Sequence, residues 1–254
     1  MVANLLLRGM LVGLLAAVLS FAFLKSYGEP AVERAIAFET QQDDARRDVA
    51  IAKGQPVEPE APELVSRPVQ AGIGLLTGVS VYNVAFGGLF ALVYALAYGR
   101  MGTFGPRAAA ALLALSGLVA VYIVPNLKYP ANPPSVGDSA TIGLRTALYF
   151  SMIAFSLAAM IGAWMLRNRL VRWLGEGDAA LIAAAAYLVA VVVAGLALPA
   201  INEVPEAFPA VVLWRFRIAS LGSQAIMWAT LGLGFGALTE RAQSLGRAAR
   251  LRAR

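Results

Sequence analysis

The stretch TALYFSMIAFSLAAMIGAWML, residues 146–166, contains no charged side chain and no proline. A helix rises about 1.5 Å per residue, so this run is long enough to cross the ~30 Å hydrocarbon core of a bilayer. Five further apolar runs of similar length occur along the chain. The six runs cover approximately residues 5–24, 72–98, 108–124, 146–166, 179–198 and 218–238. They predict an all-α polytopic membrane protein with six transmembrane helices.

The composition of the whole chain agrees with this prediction. Of its 254 residues, 59% are hydrophobic and only 14% are charged, and the mean hydropathy is +0.68. A typical soluble domain carries about 25% charged residues. The first run ends at Lys25 without a small-x-small cleavage site, which favours a retained anchor over a cleaved signal peptide. We predict a single membrane domain over residues 1–254.

The chain contains neither cysteine nor histidine. The commonest protein ligands of zinc, cobalt, nickel and copper are therefore missing, and so is the usual general base near neutral pH. The sequence also has no P-loop, no dinucleotide-binding glycine motif and no metalloprotease motif. These absences favour a protein that is not an enzyme and binds no cofactor.

Positive charge is sorted between alternate loops. The basic segments contain Arg100 and Arg107, then Arg167, Arg169 and Arg172, and finally Arg241, Arg247, Arg250, Arg252 and Arg254. By the positive-inside rule these segments face the cytoplasm. Both termini then lie inside, and the six helices form three up-down hairpins. We expect the basic C-terminal tail to contact anionic lipid headgroups rather than nucleic acid.

Residues 25–70 form the longest predicted external loop, with nine acidic residues against six basic ones. Apolar residues recur at helical spacing in its first half, at Val32, Ala35 and Ile36. This pattern predicts an amphipathic helix on the outer membrane surface. The segment QPVEPEAPELVSRP, residues 55–68, is rich in proline and glutamate and predicts an extended linker.

Two other external loops resemble each other. YIVPNLKYPANPP, residues 122–134, closes the third run, and LALPAINEVPEAFPA, residues 196–210, closes the fifth. Each has a proline after an apolar pair, then an asparagine, and an arginine at the start of the next helix. The asparagines are Asn126 and Asn202, and the arginines are Arg145 and Arg217. The likeness indicates repeated helical hairpins, although turn chemistry alone collects the same residue types.

Arg217 is followed on a nearby helix face by Ser220 and Gln224. A polar stripe inside an apolar helix faces a partner helix or a polar cavity. Two interpretations stay open. Arg217 pairs with Glu203 or Glu206 and pins the fifth loop, or it lines a substrate path.

Glycines mark two of the apolar runs. Gly74 and Gly78 form a small-xxx-small pair in the second run, and Gly232, Gly234 and Gly236 lie in the last. The pattern predicts close packing of helices, with a backbone-lined ion site as the alternative.

If the protein handles a divalent cation, oxygen atoms of the external loops must supply the ligands. The candidate metal ligands are Glu29, Glu33, Asp138, Glu203 and Glu206. The candidate polar residues of structural or functional importance are Asn126, Arg145, Asn202, Arg217 and Gln224.

Three features resemble the CbtA family of probable cobalt transporter subunits. They are GEPAVERAIAFE at residues 28–39, the set Pro133, Pro134, Gly137 and Arg145, and AFPAVVLWRFRIASL at residues 207–221. The resemblance covers nearly the whole chain and implies a bacterial inner-membrane subunit for uptake of cobalt, Co²⁺. It also implies a small single-span, histidine-bearing partner of the CbtB type within a larger membrane complex.

The chain departs from part of this family because its first external loop has no histidine. This difference disfavours capture of Co²⁺ by the chain alone, since oxygen ligands bind the ion with little selectivity. A second interpretation therefore stands beside transport: a non-catalytic scaffold or accessory subunit of a membrane complex.

Overall fold

The computed structural model describes residues 2–56, 64–134 and 136–252. Within these ranges the chain is helical and forms no strand, so the predicted all-α class is confirmed. Residues 57–63, half of the proline-rich linker predicted at residues 55–68, lie outside the described residues.

The first three long helices are α1, Val2–Ala52, α2, Arg67–Ala97, and α3, Pro106–Lys128. A short 3₁₀ turn, Ser139–Thr141, precedes the next helical stretch, Ile142–Ala197. That stretch consists of α4 (142–174) and α5 (176–197), because Gly175 between them has φ 78° and ψ 175°, outside the helical range. The last helix, α6, begins at Ala210 and ends at Arg252.

The chain reverses direction at Gly175. The side-chain oxygen of Ser156 in α4 lies 2.8 Å from the hydroxyl oxygen of Tyr187 in α5. These residues are 31 positions apart, and a straight helix would separate them by about 45 Å. Further from the turn, Met152 and Val191 pack in one apolar cluster. Helices α4 and α5 are therefore an antiparallel pair.

The helices carry apolar side chains on their outer surfaces. Exposed examples from five of them are Leu15, Leu92, Leu115, Phe150 and Val193. In the described part of the chain, five continuous helical stretches are long and apolar enough to cross a membrane, and one of them is the α4–α5 pair. The fold is thus that of a membrane protein. Six crossings with both termini in the cytoplasm stay a prediction.

Helices α1 and α2 pack backbone against backbone. A Cβ added to Gly9 would lie 2.7 Å from the Cβ of Ala91 and closer still to the carbonyl oxygen of Gly87. Only glycine allows this approach. The contact predicted for Gly74 and Gly78 is wrong, because the space beside Gly78 is empty. The spacing of two glycines does not reveal which face of the helix meets a neighbour.

The glycines of α6 pack as predicted. A Cβ on Gly232 would lie 2.7 Å from the Cβ of Ala114 in α3. Next to this contact, the ring of Phe235 meets the ring of Phe90 from α2 edge to face, with centroids 5.4 Å apart. The core of the bundle therefore joins α2, α3 and α6 through small residues and aromatic rings.

Helix α1 extends well beyond the predicted first span. A π turn, Leu24–Gly28, joins Val2–Phe23 to Glu29–Ala52 without a break. The helix predicted in the first external loop is present, but it continues α1 instead of standing alone. Its inner face finds protein partners: Ala35 is fully buried, and the rings of Phe38 and Phe208 pack edge to face, 5.1 Å apart.

Candidate functional site

A cavity of about 550 Å³ lies where two loops meet at one end of the bundle. The first tip, residues 129–141, connects α3 to α4, and the second tip, residues 198–209, connects α5 to α6. We call the space between them the tip cavity. Its polar lining includes Asn126, Asn132, Arg145, Asn202, Glu203 and Arg217. Four of the predicted polar residues therefore come together here.

The first tip is shaped by proline and glycine. Three prolines between residues 130 and 134 have no N–H to donate, and no helix forms there, as predicted. The Asn126 side-chain oxygen accepts the N–H of Ala131 at 2.9 Å and turns the chain back over the end of α3. Gly137 has φ 122°, and a Cβ on it would lie 2.8 Å from Cζ of Arg145. Glycine is required here so that the loop can cover the arginine.

Glu203 of the second tip connects the two tips through hydrogen bonds and an ion pair. Its Oε2 accepts the N–H of Asp138 at 2.7 Å, and its Oε1 accepts the hydroxyl of Thr141 at 2.6 Å. The Nε of Arg145 lies 3.4 Å from Oε2, and Nη2 of Arg145 donates to the carbonyl oxygen of Asp138 at 3.0 Å. The Thr141 hydroxyl, then the Asp138 N–H and the Arg145 charge, hold the pKa of Glu203 below its ordinary value. Glu203 is therefore ionised at neutral pH.

Arg217 binds the first tip through neutral groups. Its Nε donates to the carbonyl oxygen of Ala131 at 3.2 Å, and its Nη2 donates to Oδ1 of Asn132 at 3.0 Å. The interpretation in which Arg217 pairs with Glu203 or Glu206 is wrong, because both described partners of Arg217 are uncharged groups of the first tip. No described carboxylate forms an ion pair with Arg217.

Glu29 lies apart from the tip cavity. It is buried to 8% exposure at the junction of α1 and its extension, where it forms an ion pair with Arg67 at the start of α2. Lys25 donates to the carbonyl oxygen of Ala71 at 3.0 Å in the same region. These contacts join the first two helices at this end.

The other predicted ligands are divided between the tips and the surface. Asp138 and Glu203 meet where the tips join, Glu206 is an exposed residue of the second tip, and Glu33 is exposed on α1. Over residues 2–56, 64–134 and 136–252, no three carboxylates are close enough together to hold a metal ion. Gln224 lies outside the cavity lining and donates to the hydroxyl of Tyr82 at 3.2 Å.

The sequence did not indicate that tyrosines line the cavity. The hydroxyl of Tyr122 donates to Oγ of Ser220 at 2.7 Å, and that of Tyr129 donates to the carbonyl oxygen of Pro199 at 2.8 Å. Tyr149 also lines the cavity. Tyrosines near helix ends usually anchor a protein at the membrane interface, so their presence alone did not indicate a site. The polar stripe containing Ser220 was the signal that a polar partner lay nearby.

A sequence profile of the CbtA family, described as a probable cobalt transporter subunit, matches residues 2–240. The chain belongs to the CbtA family, and the resemblance seen in the sequence is confirmed. No curated protein and no solved structure matches the chain.

Proposed function

We propose that this member of the CbtA family is the membrane subunit of a system that takes up cobalt or a related divalent cation. The family match over residues 2–240 carries the proposal, and the long apolar helices support it. Co²⁺ is the cargo in this proposal and is not a resident cofactor. The chain performs no covalent chemistry.

We place the protein in the bacterial inner membrane with six spans and cytoplasmic termini. The reversal at Gly175 divides the chain into six long helical segments. At the end opposite the tips, Nη1 of Arg167 lies 3.4 Å from the carbonyl oxygen of Met101, and Arg107 forms an ion pair with Glu240 at 2.7 Å. The positive-inside rule makes this basic end cytoplasmic and the tips external.

The absence of cysteine from the chain makes this topology testable. Single cysteines at exposed positions 53 and 178, Lys53→Cys and Asp178→Cys, can be labelled in intact cells with a membrane-impermeant maleimide. We expect labelling at position 53 and protection at position 178 until the cells are opened. The reverse pattern would contradict the orientation.

The external carboxylates have two roles in this proposal. Exposed Glu33, Asp138 and Glu206 raise the local concentration of cations electrostatically. Glu29 and Glu203, each beside an arginine, hold the helices and tips in place. Oxygen atoms alone bind Co²⁺ weakly and without selectivity. Nitrogen ligands would come from a small single-span, histidine-bearing partner of the CbtB type, and the word subunit in the family description supports such a complex.

A second candidate function is a non-catalytic scaffold that holds the transporting partner. It is favoured by the lack of histidine and cysteine and by the missing cluster of three carboxylates in the described ranges.

Uptake of radiolabelled Co²⁺ tests both candidates. Cells would express the chain, the histidine-bearing partner, both proteins, or neither. The transport proposal expects uptake only when the chain is present, whereas a scaffold allows uptake by the partner alone. If cells with both proteins take up no more Co²⁺ than cells with neither, the transport proposal fails.

A further inference from the structure

The tip cavity carries an excess of positive charge. Its lining contains two guanidinium groups, Arg145 and Arg217, but one carboxylate, Glu203. Arg145 and Glu203 balance each other at 3.4 Å. The charge of Arg217 has no described acidic partner, and its neighbours Ala131 and Asn132 are neutral. A bare divalent cation would be repelled from this space, and an anion would be attracted.

The hydrogen-bonding groups of the cavity also favour an anion over a cation. The side-chain oxygens of three asparagines accept hydrogen bonds from the protein itself: Asn126 from Ala131 N–H, Asn132 from Arg217, and Asn202 from Val204 N–H. Backbone N–H and guanidinium groups can only donate hydrogen bonds, so the asparagine atom that faces each of them must be the side-chain oxygen. No residue that the structure describes accepts a hydrogen bond from the NH₂ groups of these three side chains, so they can donate to a ligand.

Other donors in the cavity are unused as well. Both carboxylate oxygens of Glu203 already accept hydrogen bonds from the first tip. In contrast, the Tyr149 hydroxyl and Nη1 of Arg217 make no hydrogen bond to a described residue. Among the described residues, the acceptors thus hold the tips together, while these donors have no partner.

We propose that the tip cavity binds a small polycarboxylate, and that the divalent cation reaches this protein as an anionic polycarboxylate chelate. The second half of this inference rests on the proposed transport function. Guanidinium groups bind carboxylates through paired, charge-assisted hydrogen bonds. The volume of about 550 Å³ lies in the range typical of small-molecule sites. A chelate brings its own oxygen ligands, which accounts for cobalt handling by a chain without histidine or cysteine.

Binding to the purified full-length protein in detergent tests the site. The probes are citrate, an equimolar mixture of Co²⁺ and citrate, cobalt chloride alone, and inorganic phosphate, each measured by isothermal titration calorimetry. We expect binding of citrate and of the mixture, and no binding of cobalt chloride. If phosphate binds more tightly than citrate, or cobalt chloride binds as tightly as the mixture, the carboxylate site is overturned.

Matched variants locate the binding. Arg217→Gln should weaken citrate binding by about tenfold or more, the factor that a charge-assisted hydrogen bond carries. Arg215→Gln, an exposed position two residues away in the same helix, should bind like the wild type. Because Arg217 also supports the first tip, Tyr149→Phe is the decisive variant. It removes a donor that no described residue uses, so folding is unchanged and citrate binding falls severalfold. Unchanged binding in Tyr149→Phe would refute the site.

Cobalt uptake with and without citrate separates this inference from the proposed function. If citrate stimulates Co²⁺ uptake and Tyr149→Phe reduces the stimulation, both are supported. If wild-type cells take up Co²⁺ and citrate only inhibits, the chelate is refuted while cobalt transport stands. If purified protein binds citrate but no condition gives uptake, cobalt transport fails while the anion site stands.

Discussion

Replacing Gly9 by alanine is expected to push helices α1 and α2 apart. The new Cβ would lie 2.7 Å from the Cβ of Ala91 and closer still to the backbone carbonyl oxygen of Gly87. Carbon atoms rest at about 3.5–4.0 Å from each other, so the helices must separate locally by about 1 Å. Neither neighbouring atom belongs to a flexible side chain that can move away.

The free-energy cost of overpacking at Gly9 can be measured against a matched control variant in α2, Gly78→Ala. Overpacking of this kind costs about 1–3 kcal/mol, whereas a change from glycine to alanine within a helix gains about 1 kcal/mol. Gly78→Ala should gain stability from helix propensity without an overpacking cost, because nothing lies within 4 Å of its Cβ position. The difference in unfolding free energy between the two variants therefore isolates the packing cost.

Thermal unfolding of both variants in one detergent measures this difference. For a chain of this size, each kcal/mol shifts the melting temperature by about 2–4 °C. Gly9→Ala should therefore melt about 2–12 °C below Gly78→Ala. Cobalt uptake should fall in Gly9→Ala alone, because α1 carries the extension that packs on the tips. Equal melting temperatures would refute the backbone-to-backbone packing of α1 and α2.

The tips and the α4–α5 pair yield three further expectations, all measured by thermal unfolding. Gly137→Ala forces alanine to φ 122° beside Arg145 and should cost about 1–3 kcal/mol. The pKa of the Glu203 carboxyl lies below its ordinary value of 4.5, so its contribution to stability is complete above that value and disappears as pH falls through the lower, folded-state pKa. Between about pH 6 and pH 3 the wild type should therefore lose more stability than Glu203→Gln. Tyr187→Phe removes the hydrogen bond to Ser156 and should cost about 0.6–1.5 kcal/mol.

Each of these expectations has a result that contradicts it. A Gly137→Ala protein as stable as the wild type would mean that the first tip does not cover Arg145 as described. Parallel pH profiles for the wild type and Glu203→Gln would remove the fastening role of that carboxylate. If Tyr187→Phe costs as much in a Ser156→Ala background as in the wild type, the two side chains are not coupled.

The helical segments were predictable from local sequence to within a few residues at most of their ends. The opening run, residues 146–166, lies inside α4, and Gly175 falls between the fourth and fifth runs. The end of α3 was placed too early, at residue 124, since Pro125 normally ends a helix. The π turn Leu118–Ile123 precedes this proline and the helix continues to Lys128.

The members of the tip cavity were also partly predictable. Asn126 and Asn202 follow prolines at the ends of apolar runs, Arg145 and Arg217 stand at the start of the next runs, and all four line the cavity. Their partners were not predictable. Both arginines lie in the first few turns of helices that follow the tips, and the sequence offered no way to decide which of them meets Glu203.

The sequence by itself determined the membrane class, the number of apolar segments and the positions of the tips. Those properties depend on helix rise, bilayer thickness and the missing N–H of proline, which are local and can be summed along the chain. The tertiary structure alone decided which glycines meet, which arginine lacks an acidic partner and why the cavity offers donors. The contacts responsible join residues 65 and 86 positions apart, from Asp138 to Glu203 and from Ala131 to Arg217. Such distances are set by how the helices pack, because each tip acquires its charge balance only when the other is beside it.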